Sequence, residues 1–330
     1  LNGLIYYAMP FREGEEKNLA LLLPLTANAA PVDEYPNGPI TAVCTYSVGS
    51  QTDVQARICA MPAEKYFGQP IVILNKAGAG GLTGWNWFMD RGSRDGLTMT
   101  VYNLPNFIAQ SIVKKNAKYS IRTLEPLANF AADPVVLFVS KDSPFNSVSD
   151  LVEFAKKNPG KVTLNGSGLF VGHHIALLLL AKEANVKLTY VPEKGGSDSL
   201  QSVMAGKVMG SFNNLSIAMR ALDKIKVLGI ADLQRHEFIP DVPTFIEQGY
   251  KTLDDATTNF RGYALPVGVD KAIVEKAAQQ AYKMFNDPLV IENLKKTGVP
   301  YRILDRQAML DIFAKREAIL KDLLKPFVED

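Results

Sequence analysis

Two stretches of the chain set glycines between a strand-like run and a helix-like run: ITAVCTYSVGSQTDVQAR from Ile40 and PIVILNKAGAGGLTG from Pro70. Such a turn leaves the first N–H groups of the following helix without intrahelical acceptors, and the helix dipole adds positive potential at the same point. In an α/β sheet that point is the carboxyl edge, where small anions collect. The chemistry implied is capture of an anionic group by backbone amides. No catalytic side chain is required for it.

Other residues that could do chemistry are poorly arranged for it. His173 and His174 are adjacent, so on a helix they point about 100° apart and cannot chelate one metal as an i, i+4 pair would. No metal site is expected. The segment NGSGL around Ser167 lacks the G-x-S-x-G spacing of a nucleophile elbow, and a turn with a capping serine is the simpler reading. GAGGLTG approaches the dinucleotide pattern G-x-G-x-x-G, but its sixth position is Thr83 and it follows the second strand of its unit rather than the first. There is no G-K-[ST] for a nucleoside triphosphate.

The elements that would position these turns alternate strand and helix, the pattern of parallel βαβ units. Strands are expected at Ile40 to Tyr46, Ile71 to Asn75 and Thr98 to Tyr102. Thr52 is expected to cap a helix beginning at Asp53, which Pro62 should kink or shorten. A helix is expected over Leu82 to Arg91. Val135 to Val139 reads as a strand and Val148 to Asn158 as a helix capped near Ser147. A second set of units follows, built on NGSGLFVGHH with its apolar helix, on LTYVPEKGGSDSLQSVMAG and on KVLGIAD. The chain then returns to a strand near Phe260 to Leu265 and ends on helices over 270–286, 288–297 and 306–324. Crossings are expected near 139–145 and 233–245. They divide the chain into one lobe of 35–139 plus 244–330 and a second of 140–243.

The 330 residues include 47% hydrophobic residues, which suits two packed lobes. Lys plus Arg total 36 against 34 for Asp plus Glu, a formal charge of +2 with no basic block, so nucleic acid is not an expected partner. Cys44 and Cys59 fall on a strand and a helix expected to pack together, and buried thiols are a simpler reading than a disulfide. Residues 1–34 read as an extension. Lys17 and the apolar NLALLLPLTANAA look like the end of a secretory signal, which would place the mature start near Pro31 and the protein outside the cytoplasm.

The ordered elements YPNGPI, GSQTDVQAR, FGQPIVILNKAGAGG, NPGKV, HHIA, VPEKGG, FNNL, IPDVPTFIEQG and FRGYALP resemble the tripartite tricarboxylate transporter receptor family, the Bug-type periplasmic solute-binding proteins. The resemblance runs from about Tyr35 to the C-terminus. It implies a two-lobed α/β periplasmic-binding-protein fold, type II-like, whose lobes are joined by two crossover strands. It also implies a periplasmic receptor, not an enzyme, with no cofactor. Such a receptor holds a small organic carboxylate, a di- or tricarboxylate or an aromatic acid, and passes it as a monomer to membrane permease subunits. The alternative is an α/β enzyme acting on an organic acid with a phosphate or nucleotide at the glycine loop.

By position, the resemblance implies ligand contacts from Ser47, Gly49, Ser50, Gln51, Thr52 and Asp53 in the first loop and from Ala77, Gly78, Ala79, Gly80 and Gly81 in the second. From the other lobe it implies Ser167, Gly168, His174, Lys194, Gly195, Gly196, Ser197, Asn213 and Asn214, with Phe260 and Arg261 near the crossing. Asp53 reads equally well as an acid that orders its own turn. Arg261 is expected to fork onto a distal carboxylate, or else to form an ion pair. The chain departs from the family at Gly49-Ser50-Gln51, where glycine is usual, at His173, where a small hydroxyl residue is common, and at Asn213, where an acid is common. Glu193 stands where tyrosine is common and would oppose an anion if it faced inward.

Overall fold

The computed structural model describes residues 32–328, so the signal-like stretch lies outside the described residues. The first half runs β1 Ile40–Cys44, α1 Gln51–Ala60, α2 Ala63–Phe67, β2 Ile71–Asn75, α3 Leu82–Arg91, β3 Thr98–Leu104, α4 Asn106–Val113 and β4 Leu124–Asp133. It continues with β5 Val135–Ser140, α5 Val148–Lys157, β6 Thr163–Gly166, α6 Gly172–Glu183, β7 Thr189–Pro192, α7 Gly196–Met204, β8 Gly210–Asn214, α8 Leu215–Ala218 and β9 Ile225–Ala231. β10 Asn259–Pro266 and the helices α9 Lys271–Phe285, α10 Pro288–Lys296 and α11 Arg306–Leu324 complete it.

These strands form two five-stranded sheets with one plan, ordered β2-β1-β3-β10-β4 and β7-β6-β8-β5-β9. In each sheet the first three positions are parallel and the fourth strand, β10 or β5, runs antiparallel to both of its neighbours. Each of those antiparallel strands is the first to form after the chain arrives from the other sheet. The two-lobed α/β expectation holds.

The crossings lie elsewhere than expected. β4 passes directly into β5 at Pro134, and β5 belongs to the second sheet, so a break after Val139 would cut that strand from its ladder. Pro134 is the natural break because it has no N–H to give either sheet. On the return, Thr244 still bridges Ile230 of the second sheet, and the chain reaches the first sheet only after Thr258, whose hydroxyl donates to the Ala231 carbonyl at 3.3 Å.

β4 and α4 were not foreseen. LEPLANFAAD is buried almost throughout, so it shows no period-two alternation to mark it as a strand. Pro62 acts as expected: α1 stops at Ala60, and Pro62 sits at the start of the short α2. Ser147 caps α5 by a reciprocal capping box with Asp150. Cys44 and Cys59 are free and buried.

Candidate functional site

Helix α1 begins two residues earlier than the sequence suggested. Ser50, not Thr52, is its N-cap, with Oγ accepting from the Asp53 N–H at 3.3 Å. Gly49 turns the chain at φ 77° and donates its own N–H to Asp53 Oδ2 at 2.9 Å. Asp53 is 1% exposed. It also accepts from Arg57 Nε at 3.1 Å and Asn75 Nδ2 at 2.8 Å. Burial pushes this carboxyl up, but the bonds from Arg57, Gly49 and Asn75 outweigh burial and hold it below the ordinary range. Asp53 therefore shapes the first loop from inside, and its assignment as a ligand contact is corrected. Thr52 is likewise buried, while Ser47 and Gly49 are exposed.

The second loop has four successive positive φ angles, at Gly78, Ala79, Gly80 and Gly81. A Cβ on Gly81 would fall 2.6 Å from the Trp85 ring, so the loop needs glycine for space as well as for conformation. The Gly80 carbonyl accepts from Gln110 Nε2 at 3.1 Å and from the Tyr46 hydroxyl at 3.3 Å. Ala77, Gly78, Ala79 and Gly80 are exposed, and α3 starts behind them with no side-chain cap.

In the other lobe, the loop after β6 is held by both histidines. His173 is 5% exposed. Its Nδ1 accepts from the Ser167 N–H at 3.0 Å, and its Nε2 lies 2.9 Å from Asn214 Oδ1. That bonding assigns a neutral ring with its proton on Nε2. His174 Nδ1 accepts from the Phe170 N–H at 3.2 Å, and its ring lies 4.4 Å from that of Tyr190, whose hydroxyl donates to the Gly168 carbonyl at 2.7 Å. His173 and Tyr190 are positioning residues that sequence reasoning missed. The adjacent histidines at a helix start were the available signal, but His174 was expected as a ligand contact and His173 only as a departure from the family.

Burial lowers both imidazoles from 6.5 to about 4. Below pH 6.5 the unfolded chain protonates them while the folded chain does not, so their contribution to stability is full above pH 6.5 and is lost as pH falls toward 4. His236, shifted the same way by burial, adds to this loss. Urea unfolding at pH 7 and pH 4.5 should show a loss of about 2–3 kcal/mol per buried imidazole. The double variant His173→Gln/His174→Gln should have a flatter profile; an unchanged pH slope would contradict the burial of neutral rings.

Lys194 and Ser197 are exposed, and Gly195 is the extended N-cap of α7. A Cβ on Gly196 would stand 2.8 Å from Asn213 Oδ1. Asn213 is 0% exposed, with Nδ2 donating to the Gly196 carbonyl at 2.9 Å and Oδ1 accepting from the Asn214 N–H at 2.9 Å. It ties β8 to the first residue of α7, with its side chain turned into the protein. Asn214 likewise spends its Oδ1 on His173.

A cavity of about 350 Å³ separates the lobes here. Ala79, Gly80, Leu82, Gln110 and Lys114 wall it on one side; Ser167 to Val171, Glu193 and Lys194 wall it on the other. Larger hollows of about 590, 490, 440 and 380 Å³ exist, but none is walled by a glycine turn from each sheet. Of the expected contacts the cavity unites Ala79, Gly80, Ser167, Gly168 and Lys194, with His174 directly behind.

The first loop meets the second lobe differently. Gln51 Nε2 donates to Ser216 Oγ at 3.0 Å, and Ser216 Oγ donates to Asp133 Oδ2 at 2.6 Å. Arg261, 2% exposed, donates to Gln55 Oε1 at 2.8 Å and Gln51 Oε1 at 3.2 Å and lies 3.9 Å from Asp133. Both terminal nitrogens of its fork are engaged in this buried network, while Nε is buried without a partner, so the expected contact with a distal carboxylate is corrected. Phe260 points to the opposite face of β10, is 0% exposed and lies 4.4 Å from the Arg316 guanidinium carbon. It is a core residue, because neighbouring strand positions face opposite sides.

Residues 55–325 match the family model described as the tripartite tricarboxylate transporter family receptor. A protein of Cupriavidus necator described as the UPF0065 protein in the gbd 5'region is 30% identical over 89% of this chain and 90% of its own length. A TctC solute-binding protein from Polaromonas superposes with a TM-score of 0.77 at 23% identity, covering 88% of this chain and 99% of that one. The MatC protein of Rhodopseudomonas palustris, with bound malate, superposes with a TM-score of 0.72 at 24% identity, covering 88% and 100%.

Proposed function

The chain belongs to the tripartite tricarboxylate transporter receptor family, and from that premise we propose that it binds one small organic carboxylate between its lobes and hands it unchanged to membrane permease subunits. The observation that carries this reading is the cavity of about 350 Å³ walled by Ala79–Gly80 from one sheet and Ser167–Gly168 from the other. One carboxylate there can take charge-assisted bonds from the Ala79–Gly80 turn, whose Gly80 carbonyl is held by Gln110 and Tyr46, and from the Ser167 hydroxyl of the turn that the two histidines hold, each worth about 1.5–3 kcal/mol. Malate bound in a protein of the same fold supports the ligand class. The enzyme alternative, with a phosphate or nucleotide at the glycine loop, finds no support among these relatives.

We assign the action to the periplasm and to a monomer, with the lobes divided at Pro134 and Thr258. Among the described residues no helix is long and apolar enough to cross a membrane. A thermal-shift screen of organic acids beside nucleotides tests the reading. A carboxylate at a hundred times its dissociation constant should add about 2.7 kcal/mol, visible as a rise in Tm. Stabilisation by nucleotides alone would sink it.

A further inference from the structure

The cavity carries one fixed negative charge. Glu193 is half-buried in its wall. Its backbone N–H donates to the Gly166 carbonyl at 2.8 Å, and its Oε1 accepts from the Ser202 hydroxyl at 2.5 Å. Ser202 is itself 8% exposed, so the carboxylate is anchored at both ends of its residue and cannot swing into water without breaking a buried bond. Its second oxygen has no hydrogen-bond partner among the described residues.

The neighbouring charges are of another kind. Lys194 is exposed at the rim on a flexible, well-hydrated stem, and Lys114 stands on the opposite wall. The amide turns at Ala79–Gly80 and at the start of α6 supply the positive potential for one carboxylate. A second carboxylate directed toward Glu193 would meet a like charge that partial burial screens poorly.

Resting on the carboxylate reading above, we propose that the ligand carries an ammonium group at the end remote from its carboxylate, and that Glu193 accepts it. The ligand class is then an amino-carboxylate with separated charges, not a dicarboxylate. Glu193 determines specificity, and Ser202 positions it.

Isothermal titration with 5-aminopentanoate and with glutarate, which place a nitrogen and a carboxylate oxygen at matched distances, tests this. The unmodified protein should bind 5-aminopentanoate at least tenfold more tightly. Glu193→Gln should erase that preference by weakening the amino acid while leaving glutarate equal or tighter, and Ser202→Ala should reduce the preference about threefold. Glutarate binding as tightly as 5-aminopentanoate, equal losses for both ligands in Glu193→Gln, or binding only of other carboxylates would overturn the inference. If no carboxylate binds at all in the wider acid screen, the carboxylate reading itself has failed, a result distinct from these.

Discussion

Gly80→Val should reduce carboxylate affinity by a hundredfold or more while the protein stays folded. Gly80 holds φ 66°, and a Cβ there would lie 2.8 Å from Gln110 Nε2. A branched side chain at that φ costs about 1–3 kcal/mol, and the exposed loop relieves it most easily by changing shape. Relief would break the bonds that Gln110 and Tyr46 make to the Gly80 carbonyl. A ligand that loses two charge-assisted bonds loses about 3–6 kcal/mol, which is two or more decades in Kd. Titration of the same carboxylate against both proteins measures it, with circular dichroism to confirm the fold. Unchanged affinity would remove the second loop from the site.

Arg261→Leu should cost about 3–5 kcal/mol of stability, the scale for leaving a buried charge without its partner. Burial pushes the Asp133 carboxyl up, opposed by the Arg261 charge and by the two bonds from Ser216; burial lowers Arg261, opposed by Asp133. Removing the guanidinium leaves Asp133, 0% exposed, with Ser216 alone. Adding Asp133→Asn should recover part of the loss, because a neutral amide no longer needs the cation. Urea unfolding of the single and double variants separates the terms. A loss below about 1 kcal/mol, together with lost carboxylate binding, would return Arg261 to the ligand site.

What was legible in the sequence follows from where the signals are local. The glycine turns, the Ser147 cap and the amphipathic C-terminal helices carry their own instructions in a few residues, and each formed where expected. β4 and the crossing at Pro134 were hidden because a strand buried on both faces shows no alternation, and one proline between two apolar runs is a weak boundary mark. Contacts carried over by position failed where side-chain direction decides: Asp53, Asn213, Phe260 and Arg261 sit in the right loops and strands, but their side chains turn inward. His173 was misjudged for a different reason. Its role is to hold Ser167 in place, and that depends on Asn214, a residue forty-one positions away.

The central claim is that one intact carboxylate occupies the cleft, and native mass spectrometry of the purified protein, incubated with a panel of organic acids and with nucleotides, tests it most directly. The account predicts a complex of one carboxylate per chain, released at unaltered mass and absent in Gly80→Val. A nucleotide complex, or an acid released chemically changed, would contradict it.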